Sequence, residues 1–405
     1  MAESILIKNA LIVNEGEVFA SDLRVRGGRI DRIDAAITPA AGETMLDAKG
    51  SWLVPGMIDD QVHFREPGLT AKGDMKTESA AAVAGGITSF MEMPNVKPST
   101  TTLEALEDKY IRAAGRAAAN YAFYLGATND NIDEIRKVQP GQACGIKVFM
   151  GASTGAMLVD NEETLDRIFA ESPLLIATHC EDTPTILINE EAARKQYGQN
   201  VPMSEHPKIR SEEACYKSSA LAVELARRHN SRLHVLHLTT ARELEFFTPG
   251  PVAGKRITAE ACVHHLFFDE TDYKRLDTKI KCNPAIKTVA DREALVQALA
   301  DGRIDVIATD HAPHTIEEKA ASYFYAPAGL PLVQHALQMV IEHVHRGSLS
   351  IAEVVQKTSH SVAELFGVQE RGYIREGYFA DLVLVDPRRP QTVRREDILY
   401  KCGWS

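Results

Sequence analysis

Gln61, His63 and Arg65 occupy alternate positions of the stretch IDDQVHFREPG, residues 58–68, and Lys147, His179, His237 and Asp310 each sit in or at the end of a later apolar run. Residues two apart on a β-strand face the same way, so Gln61, His63 and Arg65 are expected to point to one side together. The same parity turns His234 away from His237 and Cys180 away from His179. His234 and Cys180 are therefore read as packing against helices and not as ligands. Imidazoles, a carboxylate and a suitably modified lysine suit zinc, a borderline metal that takes nitrogen and oxygen donors. An ammonium repels a cation, but a desolvated lysine beside a metal has a depressed pKa. Its neutral amine can add carbon dioxide and become an anionic carbamate with two oxygens. A single histidine is more often a packed residue, and a single lysine or arginine a solvated charge. Several such residues on one rim make a site.

That rim requires elements to carry it. From Trp52 onward, eight apolar runs alternate with amphipathic helical patterns: WLVPGMIDDQVHF, ITSFMEMP, YAFYLGA, GIKVFMG, LLIATHC, RLHVLHL, RITAEACV and IDVIATD. Repeated βα units imply a parallel sheet, and eight of them close a (β/α)8 barrel. The functional face of such a barrel is the C-terminal end of its strands. Strand one ends there with Gln61, His63 and Arg65, strand two with Asn95, strand five with His179, strand six with His237 and strand eight with Asp310, while strand four carries Lys147. Residues 4–50 and the stretch GYIREGYFADLVLVDP alternate apolar and polar positions in short segments, as half-buried strands do. The expected fold is α/β: a TIM-like barrel over 55–367, with a small split β-sandwich formed by residues 1–54 and 368–405, its second part incomplete.

The bulk properties narrow the partner. A formal net charge of −11 disfavours nucleic acid and anionic membrane surfaces, leaving a small molecule as the expected ligand. The start MAESILIKNALIV lacks a basic segment ahead of an apolar core, and no eighteen apolar residues run together, so a cytoplasmic location is expected. The six cysteines, at 144, 180, 215, 262, 282 and 402, form no C-x-x-C pair and read as free, mostly buried thiols.

With these residues in place, the chain resembles the amidohydrolase superfamily and, in its cyclic-amidohydrolase branch, the dihydroorotase family. ATDHAPHTIEEK at 308–319 matches that family's signature, and HFREPG, MPN, GIKVFMG, HLTT and KCNPAIK follow in the family's order. The resemblance implies that His63 is a ligand of a more exposed metal, that His179 and His237 hold a more buried one, and that carboxylated Lys147 bridges the two. It implies Asp310 as metal ligand and general acid/base, Arg65, Asn95 and His314 as holders of the substrate carboxylate, and Asn283 with the Ala328-Gly329 backbone as further substrate contacts. One or two Zn2+ per subunit, a homodimer and association with aspartate transcarbamoylase also follow from it. The reaction it implies is the reversible cyclisation of N-carbamoyl-L-aspartate to dihydroorotate in pyrimidine biosynthesis.

Three departures bear on that expectation. Gln61 stands where relatives carry the first histidine of His-x-His, and a carboxamide is a weak or absent zinc ligand. Ser153 stands where some relatives use an aspartate in place of the modified lysine, which leaves Lys147 as the bridging candidate. The chain also stops at LYKCGWS, where relatives continue. The alternatives are a dihydropyrimidinase- or allantoinase-like cyclic amidohydrolase and a non-catalytic dihydroorotase-like subunit of aspartate transcarbamoylase. The segment 323–330, with Gly329 and adjacent prolines, is expected to act as a mobile lid.

Overall fold

The computed structural model describes residues 4–151 and 157–405; Ser153 lies outside them. Barrel strand one is Met57–Val62, and it pairs in parallel with strand two, Ile87–Glu92. Strand three is broken at Tyr124: Asn120–Phe123 pairs with strand two, while Leu125–Gly126 pairs with strand four, Ile146–Phe149. Strands five to eight are Ile176–His179, Leu233–Val235, Ile257–Cys262 and Val306–Ala308, each parallel to its neighbour. Closure runs back to strand one through the Thr309 backbone N–H to Asp59 Oδ1 at 3.1 Å, the His63 N–H to the His311 carbonyl at 2.7 Å and a parallel bridge between Val62 and His311.

The helices between strands follow from capping and amphipathicity. Glu212–His229 starts at Ser211, whose hydroxyl accepts from the Ala214 N–H, and ends at Asn230 in the left-handed conformation. These are the stop and start signals that satisfy orphan backbone groups. Val289–Asp301 begins in a capping box between Thr288 and Asp291. Both helices turn apolar side chains such as Ala222, Val223, Leu295 and Leu299 onto the barrel, where they are buried. Among the described residues, no helix is long and apolar enough to cross a membrane.

Both chain ends contribute to one mixed six-stranded sheet. Its long strand Ser4–Asn14 pairs with Glu17–Arg26 on one side; on the other it pairs with Thr44–Asp47 along its first half and with Trp52–Pro55 further on. Leu382–Val385 adds to the free side of Trp52–Pro55. Trp52–Pro55, read above as part of the first barrel run, thus belongs to this sheet, and the barrel begins after Gly56. The stretch beyond Val385, expected in the small domain, returns to the barrel instead. Tyr400 Oη accepts from the Gln334 N–H at 2.7 Å, and Trp404 Nε1 donates to the His314 carbonyl at 2.7 Å. Tyr400 is buried there, and the polar tips of both rings find backbone partners on the barrel side.

Candidate active site

A cavity of about 310 Å3 opens at the C-terminal end of the barrel strands. It is lined by Gln61, His63, Arg65, Asn95, Lys147, His179, His237, Asn283, Asp310, His314, Ala328 and Gly329, joined by Phe149, Ala312 and Pro327. All twelve candidates from the sequence therefore meet at one place, although they come from positions up to 268 apart in the chain (61 to 329).

Their mutual geometry sets which lone pairs face the cavity. His63 Nδ1 lies 2.8 Å from Asn95 Oδ1 and donates to it, which leaves the Nε2 lone pair 3.0 Å from Asp310 Oδ1. His179 Nε2 donates to Glu181 Oε2 at 2.9 Å, so its Nδ1 lone pair faces His237 Nε2 at 3.0 Å. Burial pushes the imidazoles of His63 and His179 below their ordinary range and His237 well below it. Without a metal the His237 Nε2–H donates across this 3.0 Å gap, and with the His237 proton on Nδ1 two lone pairs face one cation. Two nitrogens each ~2.0–2.1 Å from one tetrahedral zinc lie about 3.3 Å apart, close to the spacing found here. The Lys147 amine is 1% exposed and has no hydrogen-bond partner, and neither does His237 Nδ1. Burial brings Lys147 down to about 8, against the opposing pull of Asp310 and Glu260. This donor set fits a metal.

Gln61 presents its two ends differently. Its Nε2 donates to Asp310 Oδ1 at 3.1 Å, while its Oε1 lies 3.7 Å from Cys262 Sγ. The carboxamide thus turns a donor, and not its oxygen, toward the cavity carboxylate.

In the same cavity, Arg65 is 6% exposed, and burial lowers its guanidinium only to about 10, so it stays cationic at neutral pH. Its Nε donates to the Pro313 carbonyl at 3.1 Å, and Nη2 lies 3.1 Å from His314 Nε2. His314 Nδ1 accepts from Lys72 Nζ at 3.1 Å, and Nε2 lies 3.0 Å from the Ala328 carbonyl. Burial, aided by the Arg65 and Lys72 charges, keeps this imidazole neutral. With Nδ1 accepting, its proton sits on Nε2 and points at Ala328. One arm of the Arg65 fork therefore faces an N–H and is left without an acceptor, which suits an incoming carboxylate.

The segment 323–330 is strapped down, contrary to the lid expected from its glycine and prolines. Lys281 Nζ donates to the Tyr323 and Ala326 carbonyls at 2.5 and 2.7 Å. Lys319 Nζ, the last residue of the ATDHAPHTIEEK signature, donates to the carbonyls of Lys281, Pro327 and Gly329 at 2.9–3.0 Å. Two buried ammonium groups satisfy the loop's carbonyls and fix the Ala328-Gly329 backbone at the cavity.

Parity misplaced one residue. His234 does not pack outward against helices. It lies inside the barrel beneath the cavity, with Nδ1 2.8 Å from Thr258 Oγ1 and Nε2 3.1 Å from Asp60 Oδ2. Burial opposes its charge, but Asp60 and Glu260 outweigh burial and raise His234 to about 9. Alternation fails because strand six ends at Val235 and His237 adopts a left-handed backbone, φ 40°. Arg65 and Asp310 are also left-handed, at φ 70° and 47°. Such backbone is uncommon in non-glycine residues and gathers where side chains must be aimed. Cys180 does stay out of the cavity, beside Thr178 and next to Ser218 and Ser219 of the helix Glu212–His229, as expected.

Sequence reasoning missed the groups behind the ligands. Glu181 also accepts from Arg210 Nη1 at 2.5 Å, and Glu260 Oε1 accepts the His237 N–H at 3.0 Å. Glu181 had a signal, its place two residues after His179. Arg210 had none, because it reaches the site from a separate short helix, His206–Ile209.

Comparison with known proteins agrees with this architecture. The dihydroorotase of Halobacterium salinarum is 36% identical over 390 residues, 95% of this chain and 89% of that protein. The dihydroorotase of Bacillus subtilis is 34% identical over 408 residues, 98% of this chain and 92% of that protein. Among solved structures, the L-hydantoinase (dihydropyrimidinase) of Arthrobacter aurescens superposes with a TM-score of 0.93 at 26% identity, covering 100% of this chain and 91% of that one. The amidohydrolase family model matches residues 52–400, a span that holds every cavity residue named above, and the chain belongs to the amidohydrolase family.

Proposed function

We propose that this chain is a zinc-dependent dihydroorotase, interconverting N-carbamoyl-L-aspartate and dihydroorotate. The observation that carries the substrate choice is the Arg65 fork, buried, cationic and short of an acceptor, in the cavity that the metal donors also line. A substrate with a carboxylate beside a cyclic amide satisfies the cation and the metal donors at once, and the near-full-length relatives named dihydroorotase support the same reading.

His179 and His237 would hold a buried zinc with Lys147, whose unpartnered amine is suited to carbamate formation, and His63 with Asp310 would hold a second. A bound zinc supplies Lewis acidity for the ring carbonyl and lowers the pKa of water. Asp310, whose Oδ1 gathers His63 and Gln61, takes the proton of the attacking water and passes it to the ring nitrogen. The ring C–N bond breaks, the carbonyl carbon becomes a carboxylate as the second proton of the water is released to solvent, and the nitrogen leaves as part of the ureido group. Arg65, Asn95 and His314 position the second carboxylate, and Asn283, whose Oδ1 has no partner, with the Ala328-Gly329 backbone, meets the ring. Gln61 makes the outer metal position weak or partly filled, and Gln61→His should tighten metal retention; equal stoichiometry and retention in both proteins refutes that point.

The experiment is a spectrophotometric assay of the metal-loaded protein with dihydroorotate, dihydrouracil and allantoin. Turnover of dihydroorotate alone supports the reading. Turnover of only the other two favours the dihydropyrimidinase-like alternative, to which the 0.93 TM-score gives independent weight. No turnover in either direction by a fully metallated sample favours the non-catalytic subunit.

A further inference from the structure

Strand seven runs straight into Cys262-Val263-His264-His265, on the side of Gln61 away from Asp310. Cys262, His264 and His265 each offer a ligand atom, and these atoms lie within 4.8 Å of one another. The three residues are 0%, 1% and 3% exposed. Packing does not account for their polar atoms. Neither ring nitrogen of His264 has a hydrogen-bond partner, and nor does His265 Nδ1; the Thr309 backbone lies beside the His264 ring without completing a hydrogen bond. His265 Nε2 lies 3.0 Å from the Pro284 carbonyl and donates to it, so Nδ1 is a bare lone pair. The two rings stack obliquely, centroids 4.0 Å apart. Buried imidazoles left unsatisfied carry a desolvation penalty that native interiors rarely tolerate.

We propose that Cys262, His264 and His265 form a second metal site, separate from the catalytic donors, for a thiophilic divalent cation of the zinc class. One sulfur and two neutral imidazoles are the donor set such a cation prefers. Burial holds both histidines well below their ordinary range, which keeps their lone pairs free. The Cys262 thiol now points at Glu260 Oε1, 3.2 Å away. On binding, the S–H bond breaks, its proton leaves to solvent, and the sulfur keeps the electron pair that it donates to the cation. Gln61 forms the wall between the two sites, with Nε2 on Asp310 and Oε1 toward Cys262.

The catalytic donors are nitrogen and oxygen only, so a sulfur signal reports the new site alone. The full chain is stripped with a chelator and reloaded with cobalt(II), and its absorption and cobalt content are measured. The expected result is a thiolate-to-cobalt charge-transfer band in the near ultraviolet, lost in Cys262→Ser together with one cobalt equivalent per chain. Cys282→Ser, whose sulfur lies 3.8 Å from His265 Nε2, keeps the band. His264→Gln retains the sulfur but loses the band and the equivalent, and it decides the matter should Cys262→Ser fail to fold. The proposal is overturned by an absent band in the loaded wild-type chain, by a band that survives Cys262→Ser, or by unchanged cobalt content in His264→Gln.

Discussion

The barrel mouth and the sheet built from the chain ends both bury charged side chains, and they treat them in opposite ways. In the sheet, Arg24 meets Glu43 through Nε at 2.7 Å and Nη2 at 3.1 Å, and Nη2 also reaches the Thr38 carbonyl at 2.7 Å. Glu43 in turn accepts from Ser4 Oγ and the Ala40 N–H. At the mouth, Lys147 Nζ, His237 Nδ1 and Asn283 Oδ1 are buried without a hydrogen-bond partner. Backbone shows the same contrast. Left-handed residues of the sheet, Asn9, Glu15 and Lys49, are exposed, whereas Arg65, His237 and Asp310 are left-handed and buried at the cavity. A scaffold completes its hydrogen bonds internally, and a site leaves them open for what it binds.

Substitutions can break this contrast, and the largest effect is expected at Asp310. Asp310→Asn keeps a polar group of the same shape but cannot accept the water's proton, so turnover of dihydroorotate should fall by roughly 10²–10⁴. Initial rates within tenfold of wild type remove Asp310 from proton transfer. Arg65→Met is next. Losing a charge-assisted hydrogen bond of about 1.5–3 kcal/mol lowers kcat/KM for dihydroorotate by roughly 10- to 150-fold, while a neutral cyclic amide is little affected. An equal loss on both substrates shows that Arg65 supports the fold and not the carboxylate.

Stability should move in opposite directions in the two regions. In metal-free protein, Lys147→Met removes a buried amine that has no hydrogen-bond partner and raises stability by about 1–3 kcal/mol, while metal content on reloading falls. Arg24→Met leaves the Glu43 carboxylate without its counter-charge and lowers the melting temperature. Thermal denaturation in the presence of a chelator reads both, and shifts of the same sign defeat the comparison.

The smallest effect is in acid. The Arg24 guanidinium holds the Glu43 carboxyl at about 2, below its ordinary 4.5. A depressed folded value means that the stabilisation is complete above about pH 4.5 and disappears as pH falls toward 2. Glu43→Gln should therefore flatten the acid limb of the stability profile in that window and leave its neutral-to-alkaline side parallel to wild type. A limb as steep as before assigns the acid sensitivity to other carboxylates.

Eight apolar runs separated by amphipathic segments were enough to specify a barrel, since strand and helix periodicity are local properties of the chain. The residue types along strand one, the lysine in GIKVFMG and the ATDHAPH turn were legible for the same reason. Tertiary structure alone decided where side chains point once a strand has ended. His234, inside the ladder, faces Asp60 and Glu260 in the barrel, and His237 reaches the cavity only by turning left-handed, because a single φ beyond the ladder is set by neighbours and not by alternation. It also decided which polar groups remain unpaired. The partners that could satisfy Lys147, His264 or Arg65 come from distant positions, and whether they arrive within about 3 Å depends on closure of the whole barrel.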